Sequence, residues 1–309
     1  MNLSGAGRGI SSGLAPVLLI VMAVVLLLMG LPTFAESRQD SFQRWVDTLR
    51  IRALEQGVSR ETLDKHLRTL SFDTRVRRNS SNQAEFTTPF PEYRNYFVTD
   101  RMIQKGKALK EKHQSTLRKL EETYGVPAEI LLAIWGIESR YGDQRSRFNA
   151  ISALASMAYS STSRANYFTG ELLAVLKMLD RDQIRSENLH SSWAGALGQP
   201  QFMPTSYQTY AVDFDGDSYR DIWGSPSDVL ASVANYLDKN GWNSEQTWGQ
   251  QLSGDEPVSD STVFSPEGTE LRYRRTHNFS VLLKYNQSKF YALAVGLLSD
   301  RIGGLKQIE

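Results

Sequence analysis

Between residues 36 and 240, apolar side chains return every three or four positions and nowhere alternate at a strand period. This stretch can therefore bury its hydrophobic surface only as helices. Phe42, Trp45, Val46, Leu49, Leu54, Val58, Leu63, Leu67 and Leu70 set the pattern, and Ser59 with Thr62 offers the start of the second of two short helices. Asn79 to Gln83, with Pro89 and Pro91, breaks it as a linker or extended crossing. A long helix is expected from about Asp100 to Tyr124, stopped at Gly125, and Pro127 suits the first turn of the next helix, which runs to Ser139. Helical spacing returns over 150–181 and 226–239. After Gly241-Trp242 the character changes: Thr262-Val263-Phe264, Leu271-Arg272-Tyr273 and Val281-Leu282-Leu283 suggest a small antiparallel sheet, before a helix resumes from Lys289. The expected fold class is α+β, predominantly α.

The N-terminus addresses the chain. Leu14 to Met29 is an apolar export segment, Gly30 and Pro32 break it, and Thr33-Phe34-Ala35 places small residues where a signal peptidase reads, predicting a cut between Ala35 and Glu36. Retention as a membrane anchor is the alternative, but that needs roughly 18 apolar residues, more than this run supplies. The chain has no Cys, which excludes a lipoprotein, a disulfide scaffold, a thiolate metal site and a cysteine nucleophile. With 35 Lys+Arg against 34 Asp+Glu, it also lacks the basic excess of a nucleic-acid binder.

Three segments can carry chemistry. In Pro127 to Ser139, Leu131, Ile134 and Trp135 stand seven, four and three positions before Glu138, so its carboxylate leaves the helix on an apolar face. Desolvation and the negative helix end both favour its protonated form, as a general acid requires. The other reading is a surface carboxylate paired with Arg140 or Arg145. In Ser192 to Pro204, Gly195 and Gly198 either admit a ligand to the backbone, with Gln201 presenting donor and acceptor, or pack a tight core loop. In Asp213 to Asp221, alternating carboxylates around Gly216 either converge on a hard cation or form a solvated acidic turn. In the cation reading Asp213, Asp215 and Asp217 are ligands, Tyr219 adds a main-chain oxygen and Asp228 closes the shell. The match to a calcium loop is partial, since Gly224 stands where a bidentate Glu normally sits. The four histidines are scattered, and no HExxH, GxSxG, P-loop or dinucleotide fingerprint is present.

Gly136-Ile137-Glu138-Ser139-Arg140-Tyr141-Gly142, Gly195 to Pro204, Asp213 to Trp223, Ser232 to Tyr236 and Tyr285 to Ala292 occur in an order and spacing that closely resemble the lytic murein transglycosylase B family, over nearly the whole mature chain. The resemblance implies a lysozyme-like helical core with an added helical domain and a small antiparallel β insert. The corresponding domains are 36–95 (N-terminal helical), 96–245 (core, with the acidic loop at 213–228), 246–285 (β) and 286–309 (returning helix), after a signal peptide over 1–35. It implies cleavage of the β-1,4 bond between N-acetylmuramic acid and N-acetylglucosamine in peptidoglycan, leaving 1,6-anhydromuramyl ends, with Glu138 acting as acid and then as base.

Sugar contacts are implied at Tyr93, Ser192, Gln201, Tyr236, Tyr285, Asn286 and Tyr291, and stem-peptide contacts at Arg164 and Tyr167. Some relatives carry a second Arg where Ser163 stands. The acidic loop corresponds to the family's cation site, so a structural calcium or another hard cation is expected, with no cofactor needed for the chemistry. The implied protein is a periplasmic monomer that meets glycan strands, and cell-wall synthesis or division complexes are its expected protein partners. A non-catalytic peptidoglycan-binding protein and a lysozyme-type muramidase are the competing readings.

Overall fold

The computed structural model describes residues 38–81, 88–144, 147–252 and 261–305. The export segment, its cleavage point and Arg145 lie outside the described residues. Helix α1 (Arg38–Glu55) leads to α2 (Arg60–Leu67), whose start is made as the sequence suggests: the Ser59 hydroxyl accepts from the Thr62 N–H. Both hydroxyls also donate to Asp180, at 2.5 and 2.7 Å, tying this corner to a distant helix end. Then come α3 (Thr74–Ser81) and α4 (Phe90–Phe97). The expected interruption is thus shorter than read, because Asn79 to Ser81 complete α3 and Pro91 sits in the first turn of α4, where a missing N–H costs nothing.

The helix expected over 100–124 is two, α5 (Asp100–Lys112) and α6 (Gln114–Tyr124), parted at His113 with φ −107° and ψ 21°. Apolar spacing runs through such a one-residue break unchanged, which is why the pattern hides it. Gly125 closes α6 in the left-handed conformation (φ 66°) and α7 (Ala128–Ser139) follows. A short pairing of β1 (Phe148–Asn149) with β2 (His190–Ser191) brackets α8 (Ala150–Ser160) and α9 (Ala165–Asp180). After α10 (Pro204–Tyr210) and α11 (Pro226–Lys239), strands β3 (Gly249–Leu252), β4 (Val263–Phe264) and β5 (Arg272–Arg275) form an antiparallel sheet in the order β3-β5-β4. Val281 to Leu283, read as β-favouring, instead belong to α12 (His277–Tyr285). The buried residues there are Asn278, Phe279, Val281 and Leu282, a helical spacing, so packing overrides the local preference. Helix α13 (Lys289–Ile302), capped by the Ser288 hydroxyl, ends the described chain.

Helix α7 is the axis of the core. Every residue in it except Glu129 and Glu138 is buried, and α5, α6, α11 and α13 pack around it. A helix wrapped on all sides needs no polar face, which accounts for the run Ile-Leu-Leu-Ala-Ile-Trp-Gly-Ile. The described residues from Phe42 onward make one compact unit. No helix among the described residues is long and apolar enough to cross a membrane.

Candidate active site

Glu138 stands half-buried in the last turn of α7. The chain behind it reverses through three consecutive left-handed residues, Arg140 (φ 55°), Tyr141 (φ 58°) and Gly142 (φ 83°). Side chains other than glycine cost about 1 kcal/mol or more in that region, so the turn needs outside support. The Tyr141 hydroxyl provides it by donating to the Met102 carbonyl at 2.9 Å, while its ring meets Trp135 edge-on. Gly136 is required here, since a Cβ on it would lie 2.7 Å from Tyr141 Cζ. The Arg140 guanidinium lies 4.4 Å over the Tyr96 ring and donates to the Tyr96 carbonyl. Of the two arginines that could have drawn Glu138 to the surface, Arg140 is therefore turned toward α4.

A row of tyrosines faces the carboxylate. Tyr291 is 2% exposed, and its hydroxyl lies within reach of the Glu138 carboxylate. Burial first, and then the negative charge of Glu138, raise its pKa well above the phenol value. The same two causes act in the same order on half-buried Tyr285, whose hydroxyl donates to the Pro200 carbonyl at 2.8 Å. The two rings stack, 6.2 Å apart and 8° from parallel, and Tyr236 meets Tyr285 edge-on at 4.7 Å. Burial pushes Tyr236 up to about 12, and its hydroxyl donates to the Lys284 carbonyl. Tyr93, buried on α4, packs against Phe290 beside Tyr291. These four expected sugar-facing residues come together, although Tyr236 and Tyr285 already spend their hydroxyl protons on the main chain.

The remaining expected contacts lie around this row. The Ser192 hydroxyl accepts from the Ala194 and Ala196 N–H groups at 3.3 and 3.1 Å. Gln201, left-handed at φ 54°, donates its amide to the Gly198 carbonyl, which turns the side chain back on its own loop. Asn286 follows Tyr285 and accepts from the Ser288 N–H. Gly195 and Gly198 serve packing rather than ligand approach: a Cβ would lie 2.3 Å from Leu154 at the first and 2.7 Å from the Ile222 carbonyl at the second. Arg164 and Tyr167 sit exposed at the start of α9, with the guanidinium over the Phe168 ring. Burial of its ring and then the charge of Glu171 push Tyr167 up to about 12.

The acidic loop is ordered by its own backbone. Asp213 accepts from the Gly216 and Ser218 N–H groups, Asp215 from the Ser225 and Ser227 hydroxyls, and buried Asp228 from the N–H groups of Phe214 and Asp221 at 2.8 Å each. Ligand oxygens of Asp213, Asp215 and Asp228 lie within 4.8 Å of one another. Asp217 falls outside that group and accepts from the Tyr219 N–H, while the Tyr219 hydroxyl takes a hydrogen bond from Asn188.

Residues 41–263 and 255–300 match the transglycosylase SLT domain family. The chain belongs to that family. It is 31% identical over 287 residues to the membrane-bound lytic murein transglycosylase B of Escherichia coli K12, covering 80% of this chain and 79% of the relative. Its structure is similar to that of SltB3 from Pseudomonas aeruginosa in complex with NAG-NAM-pentapeptide, with a TM-score of 0.77, 35% identity, and coverage of 87% of this chain and 80% of the other. It is also similar to Escherichia coli Slt35 in complex with calcium, with a TM-score of 0.73, 29% identity, and coverage of 86% and 93%. This lytic transglycosylase therefore has the lysozyme-like, mostly helical fold expected of it. Carboxylate oxygens, one of them on a fully buried side chain, are the donors a hard dication takes, so the loop of this SLT protein fits calcium.

One residue packed against the Glu138 helix has no role legible in the sequence. Gln199 accepts from the Trp135 indole at 2.6 Å and donates to the Trp223 carbonyl at 2.6 Å. It lies within the Gly195 to Pro204 motif, but nothing there gives it a role, because three segments distant in sequence define its environment.

Proposed function

We propose that the protein is a periplasmic peptidoglycan lytic transglycosylase, exported by a cleaved signal peptide over residues 1–35, which cuts the β-1,4 bond between N-acetylmuramic acid and N-acetylglucosamine. Its working parts are the segments 36–95, 96–245, 246–285 and 286–309. The observation that carries this reading is Glu138, placed against Tyr285 and Tyr291. Its charge is the largest electrostatic influence on both phenols. Hydrolysis by the usual routes asks for a pair of carboxylates flanking the bond, whereas a lone one can serve a reaction that supplies its own nucleophile.

Protonated Glu138 gives its proton to the leaving glycosidic oxygen as the C1–O bond breaks. The resulting carboxylate takes the proton of the muramyl C6 hydroxyl as that oxygen closes on C1, so Glu138 ends as it began and no water enters. Burial in the tyrosine row keeps the phenols neutral. Ser192 keeps its hydroxyl proton available for the muramyl acetamide, with Asn286 beside it, and Tyr93, Gln201, Tyr236, Tyr285 and Tyr291 line the sugar path. Arg164 and Tyr167, at the exposed rim, suit the carboxylates of a stem peptide. Asp213, Asp215 and Asp228 would hold a calcium ion, with Asp217 and the Tyr219 main chain nearby; that ion would brace the loop and supply no step of the reaction. Digestion of purified sacculi is expected to release anhydromuropeptides. Reducing muramyl ends would mean hydrolysis instead, and the absence of soluble fragments would mean binding alone.

A further inference from the structure

We infer that Gln199 is a positioning residue for Glu138, clamping the catalytic helix from both sides of the acid. The inference rests on the assignment of Glu138 above. On one side the Gln199 Oε1 accepts from the indole N–H of Trp135, three residues before Glu138 and therefore on its face of α7. On the other side the same oxygen lies under Gly142, four residues after Glu138, so close that a Cβ there would come within 2.6 Å of it. One amide thus touches the chain before and after the carboxylate.

The clamp is itself anchored. Its Nε2 donates to the Trp223 carbonyl at 2.6 Å and its main-chain N–H to the Ile222 carbonyl at 2.8 Å. Trp223 in turn donates its N–H to Asp221, whose own N–H is taken by the buried Asp228 carboxylate. The helix end that carries the acid is therefore tied, through a single side chain, to the loop built on the acidic cluster. Both polar ends of the amide are in use, so neither a methyl nor a hydroxyl side chain can replace it. A left-handed turn that stores strain has a preferred way to relax, and this clamp opposes it.

The test is kinetic. In the full chain, Gln199→Met keeps volume and loses both bonds, and Trp135→Phe loses only the indole donor. Turnover of solubilised glycan strands is expected to fall roughly tenfold or more in kcat for each, with KM within about twofold, as for a mis-aimed acid that still binds substrate. The double variant should lose little beyond Gln199→Met alone, because that change already breaks the contact Trp135→Phe removes. A purely structural role would lower the melting temperature and leave kcat per folded molecule unchanged, and that result overturns the inference, as does a rise in KM at constant kcat. If Gln199→Met does not fold, Trp135→Phe decides alone by the same criterion. If the parent protein itself yields no anhydro product, it is the assignment of Glu138 that fails, not the clamp.

Discussion

Glu138 owes its role to its surroundings: it stands in the last turn of a buried helix, where its charge bears on the phenols of Tyr285 and Tyr291. Replacement by Gln preserves shape and removes the proton shuttle. Glu138→Gln is expected to bind sacculi like the parent while releasing no muropeptides, a loss of at least two orders of magnitude for a general acid–base group. Release at the parental rate would remove Glu138 from the mechanism. The residue pattern alone leaves Glu138 open between a buried acid and a surface ion pair with Arg140 or Arg145, and it is the family resemblance that singles it out. Neither gives Gln199 a role, because Trp135, Gly142 and Trp223 meet only in three dimensions. The glycines of 195–198 stand open in the sequence between ligand approach and a tight core loop, and the proximity of Leu154 and Ile222 favours the loop.

At the scale of elements, the turn after α7 and the acidic loop each make a prediction. Gly142 has φ 83° and sits against a Gln199 pinned at both ends, so Gly142→Ala is expected to destabilise by about 1–3 kcal/mol, read from chemical denaturation. A loss below about half a kilocalorie would show that the turn can relax. For the loop, calcium is expected to raise the melting temperature of the parent and not that of Asp228→Asn, since binding to the folded state alone stabilises it. An unchanged melting curve across the titration would remove calcium from this site. The helix start at Ser59 could be read from the sequence because a hydroxyl cap is a local device, and the structure adds the same device at Ser225 and Ser288. The breaks at His113 and at Ser161 to Arg164 could not, because periodicity persists across them. The two-residue strands β1 and β2 are too short to register any period.

At the scale of the whole molecule, the β3-β5-β4 sheet joins the core through Trp248, whose ring lies on Gly296 of α13 and whose indole donates to Asp300 at 3.0 Å. Burial pushes the Asp300 carboxyl up to about 6, with the Trp248 bond pulling partly the other way. A carboxyl raised on folding favours the folded state while protonated. Its contribution is thus complete below the unfolded value near 4 and is lost as pH rises through about 6. Asp300→Asn, uncharged throughout and still able to accept from the indole, is expected to gain roughly 1–2 kcal/mol over the parent at neutral pH and nothing near pH 4. Equal curves for both proteins across that range would place the charge elsewhere. None of this attachment shows in the linear pattern, since Trp248 and Asp300 stand 52 positions apart. The reversed chain at Arg140 and Tyr141 has a consequence for improvement in the laboratory. Breeding for heat tolerance would drift toward glycine or asparagine at Arg140, where the backbone is easier to hold, but not at Tyr141, whose buried ring outweighs the strain. That change would release the grip on α4, so a hardier variant of this kind would be a slower one.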